Sequence, residues 1–341
     1  MSHLLNSTNP FPKTKIIAIT TGDSDGIGFE VTLKALIKVI PKSKNTIFLV
    51  SRSLSFYPGP NSKLYLKLKP KICIKKFSCF NNAIKELNKL DPIFKKIKIV
   101  EVVSDINPAL FVEEAAVLCM KKQIHSLVTG PLSKTTIYSS GLKDMGHTGI
   151  LKRISKVKTD LFMCFMGNKF NVVSLTGHTP INKIESCISK NNFNSLIKSV
   201  LNLKIKLSTL NKNKVKNHKI AIVGLNPHAS EGGLIGNFDN TKLSKWMLNH
   251  ENLIGPLVPD VAFQKNNWTQ YFIYICMYHD QALIPFKMIH GQQSGYHLTL
   301  GLPFVRTSVD HGTAKDIYKK NIADPSSMLE AIKAAMILSN S

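Results

Sequence analysis

Met277-Tyr278-His279-Asp280-Gln281 opens the most informative segment of the chain, which runs on to His311-Gly312-Thr313. The segment follows residues 271–276, an apolar run with the length and composition of a buried β-strand. The segment also contains glycines and prolines that favour turns. Its titratable residues are His279, Asp280, Lys287, His290, His297, Arg306, Asp310 and His311. Such a segment after a strand is the usual place for a ligand site in an α/β protein, although a polar surface loop has the same composition.

Length and composition are those of a soluble globular protein with room for two domains. The chain has 341 residues, of which 43% are hydrophobic and 19% charged. We find no signal-peptide pattern, and the longest apolar runs, such as residues 272–277, are too short to span a bilayer. The six cysteines form no C-x-x-C pair, which indicates reduced thiols. We therefore expect a cytoplasmic protein without a membrane partner.

The net charge of +24 comes almost entirely from lysine, since Arg52, Arg153 and Arg306 are the only arginines. Such a positive field attracts nucleic acid or anionic substrates. Lysines are densest at residues 42–76 and 204–219, where aromatic side chains are sparse. This pattern favours a solvated lysine-rich surface over a nucleic-acid partner. A basic nucleic-acid-binding protein remains an alternative, and a phosphorylated substrate fits the same charge.

Strand and helix patterns alternate, which predicts a parallel or mixed sheet covered by helices. The predicted strands are residues 15–20, 46–50, 97–103, 126–129, 161–166, 170–175, 220–224 and 271–276, and the pair 161–166 and 170–175 forms a hairpin. The predicted helices are residues 29–40, 111–123, 192–210, 241–250 and 326–338. Residues 2–12 have the composition of a disordered head, and residues 51–95 show no clear pattern.

Three glycines follow the first predicted strand: Gly22, Gly26 and Gly28. A strand, a glycine loop and a helix together form an anion-binding geometry, because the first amides of the helix point at the loop. The spacing matches neither the dinucleotide fingerprint G-x-G-x-x-G nor a P-loop. A plain tight turn is the alternative.

Three histidines each follow a predicted strand: His178 after 170–175, His228 after 220–224 and His279 after 271–276. Because the ends of parallel strands collect at one edge of a sheet, these imidazoles can converge. Three neutral imidazoles with an open position form a catalytic site for a divalent metal. The alternative is that each histidine is hydrogen-bonded at its own strand end.

Two further positions suit an anionic ligand. His147 lies in Gly146-His147-Thr148, where an imidazole and a hydroxyl can both bind an anionic oxygen. Arg306 carries a planar guanidinium in a chain that otherwise uses lysine, and this group grips carboxylate or phosphate through two hydrogen bonds. A structural salt bridge is the alternative for Arg306.

With these residues in place, the chain resembles the 4-hydroxythreonine-4-phosphate dehydrogenase family of vitamin B6 biosynthesis from about residue 15 to 338. The most specific matches are Met277-Tyr278-His279-Asp280-Gln281 and the run from Thr299-Leu300-Gly301-Leu302-Pro303 to Asp310-His311-Gly312-Thr313. Others are Gly224-Leu225-Asn226-Pro227-His228-Ala229 with Glu231-Gly232-Gly233, Thr129-Gly130-Pro131 with Lys134, Gly146-His147-Thr148, and Thr21-Gly22 with Gly26-Ile27-Gly28 and Glu30. Several long motifs in the same order make chance agreement very rare.

The resemblance implies a two-domain α/β fold like that of the isocitrate/isopropylmalate dehydrogenases, with mixed sheets covered by helices. We expect residues 13–133 and 297–341 to form the first domain, and residues 134–296 a second domain with the metal ligands and the dimer interface. The resemblance further implies a homodimer with the active site at the interface and one metal ligand from the partner subunit. The implied cofactors are NAD or NADP and one divalent metal ion (Zn, Mg or Co).

The resemblance also assigns roles to residues. The implied metal ligands are His178, His228 and His279. The implied substrate contacts are His147, Thr148, Lys287, His297 and Arg306, with His297 in place of a family asparagine. The implied reaction is oxidation of the C3 alcohol of 4-phosphooxy-threonine, followed by decarboxylation to 3-amino-2-oxopropyl phosphate. Asp280 and Lys287 are both candidates for the general base.

Several positions depart from the family pattern. Asp23-Ser24-Asp25 replaces a Glu-Pro-Ala type of sequence, and Gly149 stands where the family has Glu. Between Lys287 and Thr299 the chain is about one residue longer than the family pattern. These changes point to altered substrate selectivity, so a dehydrogenase of threonate or erythronate 4-phosphate is the nearest alternative.

Overall fold

A computed structural model describes residues 14–55, 57–59, 61–72, 76–89, 97–210, 218–248, 250–291 and 295–339. The predicted disordered head and Cys73 lie outside these residues. The chain divides into two compact units, residues 1–154 with 312–325 and residues 155–311 with 326–341. None of the helices in the described part of the chain is both long and apolar enough to cross a membrane.

The first unit contains a parallel sheet in the order β3-β2-β1-β4. Its strands are β1 (Lys15–Thr20), β2 (Thr46–Arg52), β3 (Ile99–Val103) and β4 (Ser126–Thr129). Its helices are α1 (Gly28–Val39), α2 (Lys63–Leu68), α3 (Phe80–Asn88), α4 (Pro108–Met120), α5 (Lys134–Ser139) and α6 (His147–Ser155, whose last residue falls in the second unit). These strands are rich in buried β-branched residues, as parallel strands with both faces covered require.

A late segment of the chain, residues 312–325, completes the first unit. The Ile27 amide donates to the Thr313 carbonyl at 3.1 Å, which seats the segment against the start of α1. Glu30, whose side chain is only 1% exposed, accepts the Ala323 amide at 2.9 Å and pairs with Lys34 at 2.7 Å. Oε1 of Glu30 therefore gains its backbone donor only when the late segment is in place.

The second unit contains a mixed sheet in the order β11-β10-β5-β6-β9-β7-β8. Its strands are β5 (Phe162–Met166), β6 (Val172–Ser174), β7 (Lys219–Val223), β8 (Leu253–Leu257), β9 (Tyr271–Cys276), β10 (Tyr296–Leu300) and β11 (Val305–Ser308). Neighbours from β11 to β6 are antiparallel, and neighbours from β6 to β8 are parallel. The predicted hairpin corresponds to β5 and β6.

Helices cover both faces of this second sheet. They are α7 (Ile184–Cys187), α8 (Lys190–Leu210), α9 (Ser244–Met247), α10 (Pro259–Ala262), α11 (His279–His290) and α12 (Ser326–Leu338). Successive residues of β9 enter different cores: Ile273 and Ile275 join the core of α8 and α12, whereas Tyr274 and Cys276 join that of α10 and α11. This alternation follows from the two-residue period of a strand.

The division of the chain into compact units differs from the predicted domain bounds. Residues 134–154 belong to the first unit, and residues 297–311 and 326–341 belong to the second. The reason is pairing: β10 runs antiparallel to β5, and the Thr307 hydroxyl donates to the Ala331 carbonyl at 2.8 Å, which holds α12 against β11. Strand order in a sheet is a long-range property that local patterns do not reveal.

Residues 277–313 also differ from the predicted succession of turns. They form α11, β10 and β11. Pro285 lies inside α11, and Gly291 ends this helix with a φ of 55°. The sheet predicted to end at Cys276 therefore continues through two later strands.

Candidate active site

The three strand-end histidines follow neighbouring strands of the second unit. Strands β6, β9 and β7 are adjacent and parallel, so their carboxyl ends lie at one edge of the sheet. The rings of His178 and His279 lie together there, with 5.0 Å between their centroids and 42° between their planes. The expected convergence therefore holds for two of the imidazoles.

Asp280 orients His279. The Nδ1 atom of His279 lies 2.7 Å from Oδ1 of Asp280. In a neutral imidazole that donates from Nδ1 to a carboxylate, Nε2 carries the free lone pair. A carboxylate behind an imidazole is the usual arrangement around a metal-binding histidine, because it fixes the tautomer and raises the basicity of the ligand.

Gln281 links the ends of β9 and β7. Its Oε1 accepts the Met277 amide, and its Nε2 donates to the Gly224 carbonyl, both at 2.7 Å. One amide side chain therefore fixes the spacing between the turn that carries His279 and the loop that leads to His228. A glutamine directly after His279 and Asp280 therefore has a structural role, because its amide group can both accept and donate a hydrogen bond.

His228 lies in a strained and exposed loop. Residues 228–232 all have positive φ, between 40° and 69°, and four of these five are not glycine. Left-handed backbone costs free energy at each such residue, so the loop needs support from its surroundings. Asp239, which is fully buried, accepts the Leu225 amide at 2.7 Å, the Asn226 amide at 3.0 Å and the Ser230 hydroxyl at 2.7 Å.

The donor set fits a divalent metal in part. His178 and His279 offer two adjacent imidazoles, and Asp280 fixes one of them as an acceptor. Among the residues that the structure describes, no group of three His, Cys, Asp or Glu side chains is arranged to hold a metal ion. His228 therefore does not join the other two histidines within a single chain.

Arg306 and His297 form a buried pair in the second unit. Arg306 is 2% exposed, and its Nη1 donates to His297 Nδ1 at 2.9 Å and to Thr299 Oγ1 at 3.0 Å. Burial lowers the pKa of Arg306. His297 is itself 9% exposed and packs its ring 5.0 Å from that of Phe165. In this chain His297 supports the guanidinium as a hydrogen-bond acceptor.

Lys287 and Asp310 lie near each other on the second unit. The exposed Lys287 Nζ is 3.5 Å from the Asp310 carbonyl oxygen. Burial raises the pKa of the Asp310 carboxyl. The sequence predicts no role for Asp310. Its buried carboxyl group with a raised pKa is a feature that only the structure reveals.

His147 and Thr148 belong to the first unit, whereas the other site residues of the prediction belong to the second. Both lie in the first turn of α6, and both are partly buried. The preceding turn is closed by the Gly146 amide, which donates to the Asp144 carbonyl at 3.1 Å, and Gly146 has a φ of 83°.

The glycine loop of the first unit is explained by close backbone contacts. A Cβ at Gly28 would lie 1.7 Å from the Thr21 carbonyl oxygen, and one at Gly22 would lie 1.9 Å from that of Pro131. The loop borders a cavity of about 210 Å³ that also contains Ser51, Arg52 and Tyr57. Nearby, Arg52 and Tyr65 bond the buried Glu101 at 2.9 and 2.7 Å.

Comparison with known proteins identifies the class as a pyridoxal phosphate biosynthetic family. Residues 79–335 match the model described as "Pyridoxal phosphate biosynthetic protein PdxA". The chain belongs to this family, and its fold is the α/β fold of solved 4-hydroxythreonine-4-phosphate dehydrogenases.

The similar proteins are mostly dehydrogenases of one substrate. The chain is 35% identical to the 4-hydroxythreonine-4-phosphate dehydrogenase of Sulfurihydrogenibium sp. (strain YO3AOP1), over 94% of this chain and 98% of that protein. It is 29% identical to the D-threonate 4-phosphate dehydrogenase of Pectobacterium atrosepticum, over 95% and 99% of the two chains. Among solved structures, a putative 4-hydroxythreonine-4-phosphate dehydrogenase from Salmonella typhimurium superimposes with a TM-score of 0.69 at 26% identity, over 95% and 100% of the two chains.

Proposed function

We propose that this chain oxidises 4-phosphooxy-L-threonine with NAD⁺ or NADP⁺ in the biosynthesis of pyridoxal phosphate. The C3 alcohol loses a hydride to the nicotinamide and a proton to a base. The resulting 3-oxo acid then loses CO₂ and gives 3-amino-2-oxopropyl phosphate. The observation that carries the proposal is the His178–His279 pair, oriented by Asp280, in a chain of the PdxA family.

The histidines suit a divalent metal, and their imidazole nitrogens favour a transition metal such as Zn²⁺ over Mg²⁺. Bound to His178, His228 and His279, such an ion would polarise the C3 oxygen and lower the pKa of the alcohol. Asp280 keeps Nε2 of His279 free to bind, because Nδ1 faces the carboxylate at 2.7 Å. This contact gives Asp280 an orienting role.

Cationic groups of the second unit suit the anionic substrate. Arg306 keeps a guanidinium in a dry environment, where a charge acts over a longer distance than it does in water. Lys287 adds an exposed ammonium on α11. Binding of the phosphate and the carboxylate by such groups would hold C3 in a fixed position for hydride transfer. We keep His147 and Thr148, an imidazole and a hydroxyl on α6, as proposed further substrate contacts.

The second candidate substrate is D-threonate 4-phosphate, which has a hydroxyl where 4-phosphooxy-threonine has an amino group. Two observations favour this second substrate. One is the Pectobacterium relative that is named D-threonate 4-phosphate dehydrogenase, and the other is Gly149 beside His147 and Thr148. A comparison of kcat/KM on the two substrates separates them. We expect the higher value with 4-phosphooxy-threonine.

The direct test measures NAD(P)H formation by the purified protein before and after removal of metal with a chelator. We expect activity to fall with metal content and to return when Zn²⁺ or Co²⁺ is added. Substitution His279→Ala should abolish metal binding in equilibrium dialysis, whereas His250→Ala, on a turn before β8, should not. Activity that survives both complete metal removal and His228→Ala would contradict the metal role.

We infer further that the active protein is a homodimer that shares its metal site, as the resemblance to this dehydrogenase family implies. Mixing of the separately inactive His228→Ala and His279→Ala subunits tests this. If one ligand comes from the partner, half of the mixed dimers are heterodimers with one intact site in two, so about one quarter of wild-type activity returns. No recovery after mixing would place all three ligands in one subunit.

A further inference from the structure

The first turn of α6 contains a glycine that packs closely against the residue that precedes the helix by three positions. Gly149 follows directly after His147 and Thr148. A Cβ at Gly149 would lie 3.1 Å from Cβ and 3.3 Å from Cα of Asp144. Since such distances are tighter than ordinary van der Waals contact, any larger side chain at residue 149 would push Asp144 away. The glycine therefore lets Asp144 pack against the first turn of the helix.

Asp144 uses this position to bind Arg153 on the next turn of the same helix. Nη2 and Nε of Arg153 lie 2.8 and 3.1 Å from Oδ2 of Asp144, and Nε lies 3.3 Å from Oδ1. A guanidinium that faces one carboxylate through two nitrogens fixes its direction as well as its distance. The two carboxylates around Arg153 raise its pKa.

Arg153 also connects this turn to another helix. Its Nη1 lies 3.1 Å from Oε1 of Glu113 on α4, which packs on the sheet of the first unit. Arg153 is one of three arginines in a chain that otherwise relies on lysine, and lysine cannot reach two carboxylates with one planar group. The path Glu113–Arg153–Asp144 thus ties the turn that begins at residue 144 to the body of the unit.

We infer that Asp144 and Arg153 are positioning residues that set the geometry of His147 and Thr148 toward a phosphorylated hydroxy acid. The inference rests on the proposed function, in which His147 and Thr148 contact the substrate. Gly149 leaves room for Asp144, and Arg153 holds Asp144 in place. His147 and Thr148 lie between Asp144 and Arg153 in the sequence, so this clamp restrains the backbone that carries them.

The test compares Arg153→Ala and Asp144→Asn with Lys89→Ala, which removes the exposed Lys89–Glu86 pair of the same unit. Because displaced contact groups bind the substrate less tightly, we expect KM for 4-phosphooxy-threonine to rise about 10- to 100-fold in the two clamp variants. The KM for NAD(P)⁺ and the melting temperature should stay near those of the Lys89→Ala control. Arg153→Lys should restore the KM only in part.

A third variant tests the role of the glycine. Gly149→Glu should raise KM, because its Cβ would lie 3.1 Å from Cβ and 3.3 Å from Cα of Asp144 and would push this residue away from Arg153. Equal KM values for Arg153→Ala and Lys89→Ala would overturn the inference, as would an unchanged KM in Gly149→Glu.

Hydrogen exchange gives a readout that does not depend on turnover. The amides of residues 145–149 should exchange faster in Arg153→Ala than in Lys89→Ala, because the clamp no longer holds the turn. If the wild-type protein fails to oxidise 4-phosphooxy-threonine, the proposed function is overturned, and the exchange rates alone decide the positioning role. Unchanged exchange in Arg153→Ala would refute that role whatever the activity.

Discussion

Asp239 is the buried support of the loop that carries His228, and its replacement by asparagine is a sharp test of that support. The carboxylate is fully buried and accepts hydrogen bonds from the Leu225 amide, the Asn226 amide and the Ser230 hydroxyl. Asparagine has the same shape but only one accepting oxygen. Its amide nitrogen would face a donor on one side, either Leu225 N–H or Asn226 N–H.

The magnitude follows from the three contacts. A hydrogen bond to a charged group contributes about 1.5–3 kcal/mol, and a buried donor left without an acceptor costs about 1–3 kcal/mol. The Ser230 hydroxyl can rotate and accept from the new amide, so one backbone N–H loses its acceptor and the other contact loses its charge. The free energy of unfolding should therefore fall by about 3 kcal/mol in Asp239→Asn.

Urea unfolding followed by tryptophan fluorescence measures this loss, because both tryptophans, Trp246 and Trp268, lie in the second unit. With a slope of about 2 kcal/mol per M, the midpoint should fall by about 1.5 M urea. The matched control is Asp260→Asn, an exposed aspartate in the first turn of α10. A shift no larger than that of the control would refute the view that Asp239 holds the loop against its left-handed strain.

The remaining predictions concern two polar contacts of α11. The buried His290 accepts the Lys169 amide through Nε2 at 3.1 Å, and burial lowers its pKa, so the unfolded chain takes up the proton first as the pH falls. The stabilisation is complete above the ordinary pKa of about 6.5 and should be lost toward lower pH by up to about 1.4 kcal/mol per pH unit. His290→Gln should flatten this pH dependence in melting curves, and a slope equal to that of the wild type between pH 5 and 7 would count against it. Asp280→Asn should weaken divalent-metal binding about 10- to 100-fold in equilibrium dialysis, since the His279 tautomer loses its carboxylate; unchanged affinity would show that Asp280 has no such role.

Much of the fold could be predicted from local patterns. The bounds of β1, β4, β9 and α12 match the predicted bounds residue for residue. These elements are strongly apolar runs bounded by residues that end or begin an element, such as Gly130-Pro131 after β4 and Ser326 at the start of α12. Local composition decides such elements because each is buried on the face or faces that its own residues define.

Two parts of the fold escaped prediction for physical reasons. Residues 51–95 contain α2 and α3, and α3 buries Phe80, Ala83, Ile84 and Leu87 at helical spacing, but the lysines around them mask the signal. Residues 277–313 were interpreted as turns because of their glycines and prolines, yet Pro285 lies within a helix and Gly301 between two strands. Tertiary packing overrides these local signals.

The approach of two strand-end histidines could be predicted, whereas the residues that support the site could not. The pairing of His178 with His279 follows from strand order and was expected from the sequence. Asp239, Asp144 and Arg153 were not, because their partners lie on other turns or helices and the contacts form only in the folded chain. The only sequence signal for Arg153 was the use of arginine at this position in a chain whose cationic residues are almost all lysine.

The late segment that completes the first unit has a consequence for synthesis on the ribosome. Residues 312–325 emerge only after the whole stretch 155–311 has been made, and until then Glu30 and the start of α1 lack their bonds to Ala323 and Thr313. At 5–20 residues per second, the first unit waits about 10–30 s for its last piece. The second unit in turn needs α12, within residues 326–341, so both units receive their last pieces only in the final stretch of synthesis.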